Sequence, residues 1–388
     1  MGTDYNAPIS YNSTIPYNGT APVPPFLMPM SAPGGFGLGC AESYDVFIGE
    51  RGGRQLTLSV PFSSLDWGRS LDDTSDASVK MRADGDAFSE CCRGLAEVDA
   101  WSHELCIYRN HRRVWAGPLT ILDFGDGSEV TLQGKDLSAW LDRRRLHDTH
   151  NDEDVPLLEV ADSYIADALS VDNTMGLVTH AFDDPTGATV TRKVKARENK
   201  MCLPELGQLA DVDLDWVVID RVMYLAVGEI PAVPFTTLTD SHFRAITGLV
   251  RDGGNLVTDQ IVTGQGTGSD GPAVQGTATA VDATRDFYGV HERVASEDDI
   301  RTERRATKAA QTRLDLFGEP VNRFSGGQLG TEFPLTVDQL VPGTVMATRL
   351  TQQCLDVAGP YRLVGVSASF DGKTEQISVT MEPEGTTT

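Results

Sequence analysis

Apolar residues recur with a period of two over most of this chain and with a period near 3.6 in a few short stretches. The first spacing puts alternate side chains on opposite faces of a strand; the second builds one stripe along a helix. Leu56, Leu58, Val60 and Phe62 alternate, and so do Ala77, Val79 and Met81. Leu105-Cys106-Ile107-Tyr108 and Val114-Trp115-Ala116 flank the polar run Arg109-Asn110-His111-Arg112, the layout of a hairpin. Asp126-Gly127 separates two further strands, 119–124 and 129–133, and a short helix over 135–144 carries Leu137, Trp140 and Leu141 on one side.

The stretch 150–239 is mixed. A helix over 155–169 turns Leu158, Val160, Ala161, Ile165 and Leu169 mostly inward, and a second helix covers 203–210. It runs into the alternating strand 212–218, whose Asp213 and Asp215 read as a solvated face, and then into a strand over 222–227. From 240 the chain is β-rich again, interrupted by the glycine-rich piece 264–271, which reads as a mobile loop between strands.

Near the C-terminus the pattern predicts a long helix over 296–317. Ser296 is a suitable N-cap, with Asp299 placed to complete a capping box. Ile300, Thr307, Ala310, Leu314 and Phe317 form its stripe, and Gly318 and Pro320 stop it. Leu340-Val341-Pro342-Gly343 then opens period-two strands that end with 376–381. The expected fold class is α+β, mainly β, in three domains: 43–149, 150–239 and 240–388.

Residues 1–42 stand apart as an extended arm. Between Tyr5 and Ala41 no side chain is charged and prolines are frequent. Three hexads begin at Tyr5, Tyr11 and Tyr17, each followed by Asn. Six is divisible by two and by three, so the tyrosines align on one face in a strand or in a polyproline helix. Tyrosine combines contact area with a polar tip, so Tyr5, Tyr11 and Tyr17 are candidate interface residues of an arm that orders on a neighbouring subunit. A floppy tail is the alternative that composition permits.

Charge changes the picture in one respect. The formal net charge of −24, from 56 acidic and 32 basic residues, argues against binding a phosphate backbone as the main task. It serves solubility, or it forms an acidic wall that repels a nucleic acid passing by. No apolar run is long enough for a membrane helix, and the N-terminus lacks the basic and apolar regions of a signal peptide. The six cysteines, Cys40, Cys91, Cys92, Cys106, Cys202 and Cys354, contain no CxxC pair and read as buried thiols rather than metal ligands.

Several short motifs touch on chemistry without the company they need. Asp123-Phe124-Gly125 lacks the lysine strand and catalytic loop of a kinase. Asp211, Asp213 and Asp215 start like a calcium loop, but Trp216 stands where glycine is required. Gly264, Gly266 and Gly268 precede Pro272-Ala273-Val274-Gln275 rather than the helix a phosphate loop needs. No catalytic, cofactor or metal residue is assigned.

The stretch Leu65-Asp66-Trp67-Gly68-Arg69-Ser70-Leu71-Asp72-Asp73 through Ala77 resembles the opening barrel of minor tail proteins of actinobacterial siphophages. Trp101-Ser102-His103-Glu104-Leu105, Val114-Trp115-Ala116-Gly117-Pro118 and Lys135-Asp136-Leu137-Ser138-Ala139-Trp140 fit the same pattern. The C-terminal helix, the Leu340–Gly343 turn and the closing strands resemble baseplate hub proteins of long-tailed phages, so the likeness spans 43–388. It implies two small β-barrels per chain, over 43–149 and 240–388, and a homotrimer whose six similar faces sit on a sixfold tail ring. It implies a virion protein of the tail tip, made in the host cytoplasm. Its partners would be the distal tail protein ring, the tape measure protein and the tip or receptor-binding proteins. Trp67, Trp115 and Trp140 would fill barrel cores, and the acidic surplus would line a DNA exit channel. The alternative is a tail-associated cell-wall hydrolase or glycan-binding protein. Such proteins carry their module beyond the hub fold, and the last strand here lies close to Thr388.

Overall fold

A computed structural model describes residues 37–39, 41, 43–53, 56–82, 94–125, 129–231, 237–264, 273–297, 300, 302–352 and 354–384. The first segment holds β1 Tyr44–Glu50, β2 Leu56–Ser59, β3 Ser64–Ser70, β4 Asp76–Arg82, β5 His103–Arg109, β6 Arg112–Asp123 and β7 Glu129–Lys135. The middle segment holds β8 His150–Pro156, α1 Leu157–Leu169, β9 Val178–Ala181, β10 Thr189–Val194, α2 Cys202–Ala210, β11 Leu214–Ile219 and β12 Val222–Val227. The last holds β13 Leu238–Thr239, β14 Phe243–Asp252, β15 Asp259–Gly264, β16 Val274–Thr279, α3 Asp282–Tyr288, β17 Glu292–Glu297 and α4 Glu303–Phe317. It closes with β18 Val321–Leu329, β19 Val345–Gln352, β20 Leu355–Phe370 and β21 Glu375–Pro383. Mainly β with few helices is what the periodicities predict.

The first and last β-rich segments share one sheet. Its order is β14-β18-β21-β20-β3-β4-β7-β6-β5-β1-β2, and β19, with β13 beside it, branches from β20. The path is open at β14 and β2, so the pairings among the described residues do not close a barrel. The seam is the antiparallel pairing of β3 with β20, where Trp67 faces Ala368 and Leu65 faces Phe370. Strand alternation then sorts the faces. Leu132, Val79 and Leu65 form one cross-strand row, and Ala77, Trp67, Ala368 and Ile377 form the next. All of these residues enter a core that also holds Trp115, Phe324 and Tyr361. A core drawn from both ends of the chain couples their folding, because neither end buries those rows alone.

β6 reaches both halves of this sheet by changing partners. Arg112–Gly117–Pro118 pairs with β5 and the stretch from Leu119 pairs with β7. Gly117 sits at the change, where a Cβ would lie 1.9 Å from the Lys135 carbonyl oxygen. We expect Gly117→Ala to cost about 2 kcal/mol, because backbone must move to admit the methyl; urea unfolding checks this. The β5–β6 hairpin turns through Asn110 and His111, with φ of 51° and 63°, the left-handed pair of a two-residue turn.

The middle segment packs α1 and α2 on the sheet β11-β12-β9 around a core of its own. Trp140 lies in this second core beside Leu137 and Tyr164, not in a barrel core, because the short 3-10 helix Leu137–Arg143 hands its apolar side to the middle segment. The solvated face expected for β11 is likewise corrected. Asp215 is buried and, together with Val217, faces away from the core that holds Leu214, Trp216 and Val218.

The last segment carries an insertion. β14 and β18 pair as a long antiparallel ribbon from Phe243–Leu329 to Asp252–Val321, and 253–320 folds between them. There β16-β15-β17 make a three-stranded sheet covered by α4, with Val262, Ala278, Ile300, Ala306, Ala310 and Leu314 as its core. Gly276 lets the helix approach, since a Cβ there would lie 2.0 Å from the Thr307 nitrogen. The helix starts later than expected. Ser296 is spent in β17, paired with Thr263, and the N-cap is Thr302, whose hydroxyl accepts from the Arg305 N–H. The stripe shifts with it: Ala306 is buried and Thr307 is exposed.

Candidate assembly surfaces

Buried charges join the three segments. Glu375, at the start of β21, accepts Arg109 Nε on Oε1 and Nη2 on Oε2, both at 2.7 Å, and the Tyr44 hydroxyl at 2.6 Å. Burial, then the neighbouring carboxylate, holds the Tyr44 hydroxyl protonated, so it donates. Arg69 is buried against backbone, donating to the carbonyls of Val337 at 2.9 Å and Val114 at 3.1 Å. Arg221 of the middle segment bonds Glu104 of β5, and Arg113 bonds Asp220 at 2.6 Å. Arg362 of β20 reaches Asp215 of β11 at 2.9 Å and bonds the Gly228 carbonyl. Asp72, beside it, accepts the Trp216 N–H at 2.7 Å. Ties of this kind fix the relative placement of the three segments.

Periodicity points to none of these pairs, though one leaves a trace in the sequence. Leu65, Trp67 and Arg69 sit two residues apart on β3, so the arginine has to point where the tryptophan points. The ion pairs cross from 107 to 266 positions of sequence, beyond any periodicity.

The outer face of the shared sheet is polar. One cross-strand row runs Gln133, Ser78, Asp66, Ser369, Gln376 over β7, β4, β3, β20 and β21. At the usual strand spacing such a row is about 19 Å long. It lies in a groove of about 710 Å³ that Lys135 and Thr380 also line. Hydroxyls and amides in rows suit a broad contact surface.

The inserted module presents the opposite character. Val281, Phe287, Val290 and Val294 are exposed at 71, 80, 60 and 63%, and no residue of α3 is buried. The Phe287 and Tyr288 rings meet edge to face with centroids 4.7 Å apart.

Tyr5, Tyr11 and Tyr17, the interface residues expected from sequence, lie outside the described residues, as do Cys40, Cys91 and Cys92. Cys106 and Cys202 are buried free thiols and Cys354 is exposed; burial pushes the Cys106 thiol up to about 12. Among the described residues no three His, Cys, Asp or Glu side chains gather as a metal site, and no helix is long and apolar enough to cross a membrane.

No family model and no curated protein matches the sequence. Solved structures do match the fold. The 43 kDa tail protein of prophage MuSo2 from Shewanella oneidensis superposes with a TM-score of 0.61 at 12% identity, over 88% of this chain and 98% of that one. A tail protein from Neisseria meningitidis MC58 gives 0.61 at 15% identity, over 88% and 97%. A prophage tail protein from Listeria monocytogenes EGD-e gives 0.54 at 11%, over 87% and 94%. The chain is thus similar in fold, nearly end to end, to phage and bacterial tail proteins.

Proposed function

We propose that this chain is a structural protein of a phage tail, the hub of the baseplate or tail tip. In this reading it joins the distal tail protein ring to the tip and receptor-binding parts, meets the tape measure protein, and forms part of the DNA exit channel. The carrying observation is the fold shared over 97–98% of the length of two tail proteins. Segments 43–149 and 240–388 act as the paired hub-type domains, three copies giving the six faces that a sixfold ring needs. Tyr5, Tyr11 and Tyr17 bind a neighbouring subunit, and the acidic surplus faces the channel. The buried ties between segments support a part that must stay rigid while DNA moves past it.

Light scattering on the full chain tests the assembly. The expected particle is three times the 41.9 kDa of one chain, and removal of 1–36 is expected to prevent its joining the tail. A monomer at every concentration, joined with cell-wall hydrolysis or glycan binding by the isolated chain, would replace the hub reading.

A further inference from the structure

A basic face stands out on this acidic chain. From Arg304 to Arg313, α4 holds four basic residues and no acidic one, while the other 28 of the 32 basic residues stand with all 56 acidic ones elsewhere. At 3.6 residues per turn, Arg304, Arg305 and Lys308 fall within about 100° of arc. They lie opposite Ala306, Ala310 and Leu314, which α4 buries against its sheet, and all three are exposed. Among the described residues no ion pair holds any of them.

These cations do not serve the helix. Behind the N-cap Thr302, Arg304 and Arg305 occupy the first turn, where the orphan backbone N–H groups favour anions. Arg305 stands at the third helical position, where a glutamate would complete a capping box with the threonine. Exposed residues that break the local rule for their element belong to a contact outside the fold.

The chain also carries the counterpart. α2 ends in the turn Asp211-Val212-Asp213, all three exposed, with Val212 at 50%. The Gly228 N–H donates to the Asp213 carbonyl at 3.0 Å, which brings Glu229, also exposed, alongside. Among the described residues no ion pair holds these three carboxylates, and Arg362 of the same corner is spent on Asp215. The acidic run Asp152–Asp154, by contrast, lies against β10 with its Arg192 and Lys193. Opposite charges at two places on one surface make a head-to-tail contact between copies, which closes as a ring when its rotation permits. Beyond about 8 Å physiological salt screens the repulsion between two acidic bodies, so the local match decides. A nucleic acid offers the same sign of charge but lacks the apolar contact that Val212 gives to the arginine and lysine stems.

We propose that the α4 face of one copy, Arg304, Arg305 and Lys308, docks on the acidic turn of a second copy, Asp211, Asp213 and Glu229. The contact does not rest on the tail-hub reading: a trimer indifferent to the substitutions below would keep that reading and end this one. Sedimentation velocity on the full chain is the test. Association is expected to weaken about tenfold or more as NaCl rises from about 50 to about 500 mM. Arg304→Glu with Lys308→Glu is expected to weaken it by a similar factor, and so is Asp211→Lys with Glu229→Lys. All four substitutions are at exposed positions, and glutamate suits the first turn of α4, so circular dichroism should show the parent's fold. All four on one chain restore the attraction with its sign exchanged, and association should return to within a few-fold of the parent. Either pair without effect, no recovery in the fourfold variant, or a parent monomeric at every concentration would overturn the proposal. Binding of a short DNA duplex that Arg304→Glu with Lys308→Glu abolishes, while the copies still associate, would hand the face to DNA instead.

Discussion

Glu375→Ala should be the most damaging single substitution at a buried charge, with a loss of about 3–5 kcal/mol. The side chains of Arg109 and Glu375 are only 9 and 7% exposed, so truncating the carboxylate strands a guanidinium where water does not reach. Arg109 Nε, the Tyr44 hydroxyl and the Ala41 N–H lose the carboxylate together, and Arg109 Nη2 is left with backbone carbonyls alone. Desolvating both ions costs almost what their attraction returns, so the pair itself adds little net stability. The matching expectation is that Arg109→Leu with Glu375→Leu recovers most of the loss. Urea unfolding followed by tryptophan fluorescence measures both, since Trp67 donates to the Tyr44 hydroxyl at 3.3 Å. A loss under about 1 kcal/mol for the single change would show that Arg109 finds solvent. Arg109 also donates to the carbonyls of Leu38 and Gly39, so the substitution should speed hydrogen exchange where the arm leaves the body.

The strands around these charges are legible in the sequence because they are amphipathic in the simplest way. Ala77, Val79 and Met81 alternate and are all buried, and the hairpin at Asn110-His111 falls where its polar residues put it. Periodicity misleads where an element has two neighbours. β11 lies between a helical core and β20, so both of its faces are covered and Asp215 reads as wet until Arg362 is brought beside it. Ser296 and Thr302 are equally good N-caps; pairing of Ser296 with Thr263 in β17 decides between them, and that contact is non-local. The insertion is invisible in the sequence for the same reason. Periodicity marks β14 and β18 as strands without saying that they pair across the whole of 253–320. The open sheet joining both β-rich segments rests on β3 meeting β20, almost three hundred positions apart. Of the candidate surfaces, the sequence shows the tyrosine arm but neither the polar groove nor the apolar module.

The tie at Arg362 carries the second large effect, and it depends on pH. Two carboxylates, the buried Asp215 and the half-buried Asp72, lie near one guanidinium, with Asp213 and Glu229 close enough to Asp215 to add negative potential. Arg362 gives two contacts to Asp215, at 2.9 and 3.1 Å, and Asp72 receives the Trp216 N–H instead. The proton therefore belongs on Asp72, whose carboxyl is pushed up to about 8 by burial first and by Asp215 second. A carboxyl raised in the folded state contributes stability that is complete below its unfolded value, near 4, and that fades as pH rises through the folded value. Stability from this group should fall between about pH 4 and pH 8 and level off above. Asp72→Asn removes the titration and keeps an oxygen for the Trp216 N–H. A tenfold change in proton affinity is worth about 1.4 kcal/mol, and solvent relaxation takes back part of it. The variant should thus be more stable than the parent by on the order of 3 kcal/mol at pH 8.5 and nearly equal to it at pH 4. Urea midpoints at the two pH values decide: equal gains at both would assign the effect to packing, and no gain at pH 8.5 would place Asp72 in contact with water. A gain confined to high pH would mean that this junction of all three segments loosens as the medium turns alkaline.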